Sequence, residues 1–135
     1  MKLIKEIKSK TGELHFKRWQ IFSCRFFSIY IHGIYKADED FYLHDHPWNY
    51  FSILLKGYFT ERVKDKTRPG KYLDNILGPG SFVFKKAEDF HKIQQLRSPS
   101  IYTLFIAGRR KREWGYDVQG TWIDHVTFRK QKHEK

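Results

Sequence analysis

An all-β fold of short antiparallel strands, arranged as a sandwich or small barrel, is what this 135-residue sequence predicts. Three observations carry that reading. About nine to eleven short runs are rich in β-branched and aromatic residues, and glycine, proline or clustered polar residues separate them. No stretch sustains a helical period, and no run of apolar residues is long enough to span a membrane.

In chain order, residues 1–13 set Lys2, Lys5, Lys8 and Lys10 around Leu3, Ile4 and Ile7. This suits either a strand over an open sheet edge or a short amphipathic helix. His15–Phe22 and Arg25–Tyr35 read as strands, the second interrupted by Gly33, and residues 36–40 form a polar turn. A strand over Tyr42–His46 is expected to reach Tyr50–Lys56 through a tight Pro-Trp-Asn connection, because Pro47 removes a backbone donor. Tyr58–Val63 continues beyond Gly57, and a loop runs over residues 64–70. Tyr72–Leu77 ends at Gly78-Pro79-Gly80, where proline presets φ and glycine is free to take positive φ. Ser81–Phe84, Phe90–Ile93, Ile101–Ala107 and Trp122–Phe128 complete the strands. Gly108–Arg112 forms a basic corner and Trp114–Tyr116 an aromatic one. One domain over 1–135 is expected, its core at about 14–128 and a frayed tail at 129–135.

Composition narrows the function. Aromatic residues make up 18% of the chain, far too many for a disordered protein. The formal charge of +11 points to an anionic partner or to a soluble cationic surface. The basic residues are spread over both termini and several loops, so nucleic acid is possible but not favoured. Cys24 is the single cysteine, which excludes an internal disulfide and fits a reducing compartment. The N-terminus lacks an uninterrupted apolar signal region, so the expected location is the cytoplasm, with no membrane association.

The segment Tyr42–Gly57 carries the chemistry. His44 and His46 are two apart, so on an extended strand both imidazoles leave the same face. Two neutral imidazoles held side by side make half of a divalent-metal site, because imidazole is the commonest metal ligand. Two solvent-facing or hydrogen-bonded histidines would show the same spacing.

Residues 41–107, with this segment at their start, resemble the cupin superfamily, the double-stranded β-helix or jelly roll. The first cupin motif has His-x-His, then a glutamate, then a glycine; here His44-x-His46, Tyr50 and Gly57 keep the spacing, with Tyr50 where the glutamate would stand. Gly78-Pro79-Gly80 through His91 looks like the second motif, although Lys86 and Glu88 replace its usual proline and glycine. A group of uncharacterised cupins containing His-Asp-His-Pro-Trp is also similar.

The resemblance implies that His44, His46 and His91 bind one divalent metal ion, with iron the first expectation and zinc, nickel or manganese the alternatives. Three histidines without a glutamate keep the full +2 charge of the ion, which favours anionic ligands and acidifies bound water. The function implied is a cupin-type metal enzyme, dioxygenase-like or isomerase-like, acting on a small anionic molecule. The alternatives are a ligand-binding or regulatory cupin, or a metal-free sugar-nucleotide epimerase in which His44 and Tyr50 act as acid and base. Tyr50 could equally be an aromatic core residue. Glu61 is a candidate fourth ligand or substrate contact, against a solvated strand carboxylate. Trp48, Trp114 and Trp122 could line the barrel mouth, and Arg109 with Arg110, Lys111 and Arg112 could clamp an anion. Asp45 should point away from the histidine face or accept an N–H from behind the site. His15, His32, His125 and His133 are expected to be structural or exposed. A homodimer through edge strands is possible.

Overall fold

The structure, a computed structural model, describes residues 1–38 and 40–133, with side chains through Gln131. Eleven strands and one helix follow in order: β1 Lys2–Lys8, β2 Leu14–Ser23, β3 Ser28–Ile34, β4 Tyr50–Lys56, β5 Phe59–Lys64, β6 Tyr72–Leu77, β7 Phe82–Lys85, β8 His91–Leu96, β9 Ile101–Ala107, β10 Gly115–Val118, β11 Thr121–Asp124 and α1 His125–His133. All named strand pairs are antiparallel. The architecture is the all-β jelly roll that the sequence predicts.

A six-stranded sheet, β1-β2-β3-β9-β4-β7, packs against a three-stranded sheet, β6-β5-β8, with the β10-β11 ribbon beside the smaller one. Strand β9 explains the layering. Ile101, Thr103, Phe105 and Ala107 are buried, while Tyr102, Leu104 and Ile106 alternate between them half-buried on the outer face. One apolar cluster, Leu54, Phe59 and Ile101 with Ile34, Leu77, Ile93 and Leu96, joins the two layers, and a second, Tyr50, Phe105 and Ala107 with Tyr30, Trp48 and Val83, lies on the six-stranded sheet and the loop before β4. Gly57 makes the turn between β4 and β5 at φ +94°, where a Cβ would collide with the carbonyl oxygen of Ser100. The glycine of the first motif is therefore needed for both its conformation and its lack of a side chain.

Three expectations differ from the structure. Tyr42–His46 is no regular strand. It pairs only at His44, which bridges His91 on one side and Tyr116 on the other. Pro47, just beyond His46, cannot extend that ladder because it has no N–H. The last strand stops at Asp124 instead of continuing to Phe128, because the Asp124 carboxylate accepts the N–H groups of Val126 and Thr127 and so caps a helix. Residues 129–133 continue that helix rather than fraying, while Glu134 and Lys135 lie outside the described residues. The N-terminal segment takes the strand alternative, pairing with β2.

Candidate metal centre

The three motif histidines meet through backbone pairing. The His44 N–H donates to the His91 carbonyl at 2.9 Å, and the His91 N–H donates back to the His44 carbonyl at 2.9 Å. Cross-strand partners point their side chains to the same face, so two residues 47 positions apart become neighbours. His46 follows two residues later, tied by its N–H to the Ala87 carbonyl at 3.0 Å. Ring centroids of the three pairs lie 4.8–5.2 Å apart.

The residues fit a divalent ion. One nitrogen from each ring lies within 4.8 Å of the others. His46 Nε2 and His91 Nε2 are 3.3 Å apart, close to the roughly 3.0–3.4 Å between two nitrogens that share an ion at about 2.1 Å. Burial lowers the pKa of His44 to about 4 and holds His46 well below its ordinary value, so both rings are neutral at neutral pH and keep a lone pair to donate. Nδ1 of His46 is buried with no hydrogen-bond partner among the described residues.

Glu61, on β5, is neither solvated nor aimed at the cluster centre. It is 5% exposed, and its Oε2 lies 2.9 Å from His91 Nδ1 while its Oε1 pairs with Lys85 Nζ at 3.3 Å. Burial raises the Glu61 pKa, but the His91 hydrogen bond and Lys85 outweigh that and hold it below the usual carboxylate range. An ionised carboxylate only accepts, so His91 Nδ1 carries the hydrogen and its Nε2 lone pair faces the cluster. This carboxylate–histidine arrangement is the one that orients metal-ligating imidazoles. Tyr50 is buried and stacked on Phe105 with centroids 4.4 Å apart, and its hydroxyl lies 3.3 Å from His91 Nε2. Burial, then the Glu61 charge, pushes the phenol well above its ordinary pKa.

Asp45 lies between the two loop histidines, almost fully buried, and its carboxylate faces away from them. It accepts the Gly115 N–H at 2.6 Å and the Trp122 indole N–H at 3.0 Å, and it pairs with Arg112 at 3.1 Å. Trp122 thus serves Asp45 rather than a cavity mouth. Trp114 stacks on His125 with centroids 4.5 Å apart, and its ring lies 6.0 Å from that of His44.

The histidine cluster opens onto a cavity of about 200 Å³ between the two sheets, whose wall includes Trp48, Tyr50 and Glu61. Arg109 is not brought to it. It lines a separate cavity of about 290 Å³ with residues 24–28, which shares Trp48 and Tyr30 with the core. Arg110 pairs with Glu113 at 2.6 Å. His15 and His32, expected to be structural or exposed, both stand on the wall of the histidine cavity, and the His133 side chain lies outside the described residues.

No protein-family model matches this chain, and no curated protein is significantly similar to it in sequence. Solved structures do resemble it. A protein from Ralstonia eutropha JMP134 described as a mannose-6-phosphate isomerase superposes with a TM-score of 0.59 at 11% identity, covering 70% of this chain and 84% of that one. The Fe(II) form of HppE also gives 0.59 at 13% identity, covering 76% and 55%. The polyketide cyclase RemF from Streptomyces resistomycificus gives 0.57 at 14% identity, covering 74% and 69%. The fold is cupin-like. The chain spans little more than half of HppE, and at these identities the likeness concerns architecture alone.

The sequence reading missed Arg18, Lys85 and the part played by His32. For Arg18 a signal existed: on β2 it shares the inward phase with Phe16, where a charge interrupts an apolar alternation.

Proposed function

We propose that this protein is a cupin-type metalloenzyme, binding one divalent ion at His44, His46 and His91 and acting on a small anionic molecule. The observation that carries this reading is the Glu61–His91 contact at 2.9 Å, which turns the His91 Nε2 lone pair toward His46. A histidine needs no such orientation to fill space. Iron is the first choice of ion, with zinc, nickel and manganese as alternatives. HppE has been solved with Fe(II), and a structure from S. wedmorenis is described as hydroxypropylphosphonic acid epoxidase.

A divalent ion there would polarise a bound oxygen and, if iron, give access to oxygen chemistry. The chain's own residues supply the rest. His44 and His46 are held neutral by burial and so available as ligands. Tyr50, held as a protonated phenol beside the cluster, keeps its hydroxyl hydrogen for an oxygen of a bound molecule and does not act as a base near neutral pH. Phe59, Ile101 and Phe105 line the cavity and keep water from the reacting groups. A second reading is a metal-free acid–base pair, now drawn from Tyr50 and His91, whose polar atoms are 3.3 Å apart.

Metal analysis of the purified protein separates the two. The metalloenzyme reading expects one ion per chain, lost in His44→Ala and His91→Ala variants that remain folded. Metal-free protein that cannot be reconstituted with iron, zinc, nickel or manganese would overturn it.

A further inference from the structure

The cavity that holds the three histidines also holds a cation that makes no ion pair among the described residues; of the carboxylates on the same wall, Asp38 accepts the Ile93 N–H and Glu61 is taken by His91 and Lys85. Arg18, on the inward face of β2, lines the cavity wall. Its Nε–H donates to Nε2 of His32 at 3.0 Å. The guanidinium carbon lies 4.8 Å from the ring of Tyr30, 5.6 Å from that of Phe16 and 5.8 Å from that of Trp48. Rings can satisfy the flat faces of a guanidinium, but its N–H donors point outward in the plane and seek acceptors. Among the described residues Arg18 makes no ion pair. Elsewhere in the chain arginines do find carboxylates, Arg62 with Asp74 and Arg68 with Asp65.

Two neighbours sharpen the point. Trp48, whose ring lies 5.8 Å from the guanidinium carbon, keeps its indole N–H buried with no acceptor among the described residues. Lys5 is the cross-strand partner of Arg18, adding a second positive charge. His32 contributes no charge, since burial, then Arg18 and Lys5, lower its pKa to about 2. A group with several acceptors and a negative charge complements this corner. The ring path from there to the histidines is short: His32 to Phe105 4.4 Å, Phe105 to Tyr50 4.4 Å, Tyr50 to His46 4.7 Å between centroids.

We propose that Arg18, with the Trp48 ring beside it, is the anion receptor of this cavity and takes the carboxylate or phosphoryl end of a small substrate. That the other end of the substrate reaches His44, His46 and His91 rests on the metalloenzyme reading above; the anion contact itself does not.

The test uses inorganic phosphate and acetate as probes, titrated by calorimetry into metal-loaded and chelator-stripped protein. Wild type is expected to bind one anion per chain in both states, the better probe identifying the phosphoryl or carboxylate class. Arg18→Gln should weaken binding about 30-fold or more, given the strength of charge-assisted hydrogen bonds. Arg18→Lys keeps the charge without the planar fork and should fall between the two, giving a second folded variant. Trp48→Phe should weaken binding less than Arg18→Gln. Anion binding that vanishes on metal removal and ignores Arg18→Gln would overturn the proposal while leaving the metal site standing. The absence of binding for both probes would also overturn it. Arg18-dependent binding in a protein that holds no metal would support it and leave only the metalloenzyme reading refuted.

Discussion

Removing the charge of Glu61 gives the sharpest test of how the histidine cluster is oriented. In Glu61→Gln the side chain keeps its size, but His91 Nδ1 faces an amide instead of a carboxylate, and Lys85 loses its counter-charge at 3.3 Å. Carboxylate partners of this kind are typically worth 10- to 100-fold in metal affinity, about 1.4 to 2.7 kcal/mol. The Lys85 side chain is only 15% exposed, so the variant also leaves a poorly solvated ammonium and should lose stability. A double variant, Glu61→Gln with Lys85→Met, separates the two effects: it should recover stability but not metal affinity. The assay is competition for cobalt(II) or zinc(II) against a chromophoric chelator, with urea unfolding of the metal-free proteins alongside. If the Glu61→Gln protein binds metal within twofold of wild type, the orienting role of Glu61 is refuted.

Further outcomes come from one buried histidine and two turn glycines. His32 is 5% exposed, with its pKa lowered from 6.5 to about 2 by burial, then by Arg18 and Lys5. The unfolded chain binds a proton there below about pH 6.5 while the folded chain does not, so this group's stability is complete above that pH and falls as the solution is acidified. Between pH 7 and 5 the loss is about 2 kcal/mol, and urea unfolding of His32→Gln should show a pH dependence shallower by that amount; an unchanged slope would refute it. Gly57→Ala should cost about 2 kcal/mol or more, because a Cβ there meets both a positive φ and the Ser100 carbonyl. Gly120→Ala, at φ +90° with nothing within 4 Å, should cost about 1 kcal/mol, and equal losses in thermal unfolding would contradict the packing argument.

How much of this was legible in the sequence depended on whether the cause was local. Strands β6 and β9 have the bounds that alternation and turn residues mark, because Gly78-Pro79-Gly80 ends β6 and Ser98-Pro99 separates β8 from β9 by backbone chemistry alone. The helix at His125 was hidden by Trp122, Ile123, Val126 and Phe128, which favour strands, although Asp124 was available as a cap. The spacing of His44 and His46 is visible within one segment. Their meeting with His91 depends on a ladder between distant segments, and the pairing of Glu61 with Lys85 and His91 depends on the registers of β5 with β8 and of β7 with β4. Arg18 could be recognised as odd from its inward phase. Its want of a carboxylate appears only once the opposite strands are in place.

Asp45 gives the closing segments of the chain a hold on its centre. The residue between His44 and His46 turns its carboxylate outward and is moored by it to the Gly115 N–H, the Trp122 indole and the Arg112 guanidinium, so the β10-β11 ribbon acts as a buttress behind the loop. Clipping the chain after residue 112 would leave every imidazole in the sequence needed for the cluster, yet unmoor the loop that aims two of them.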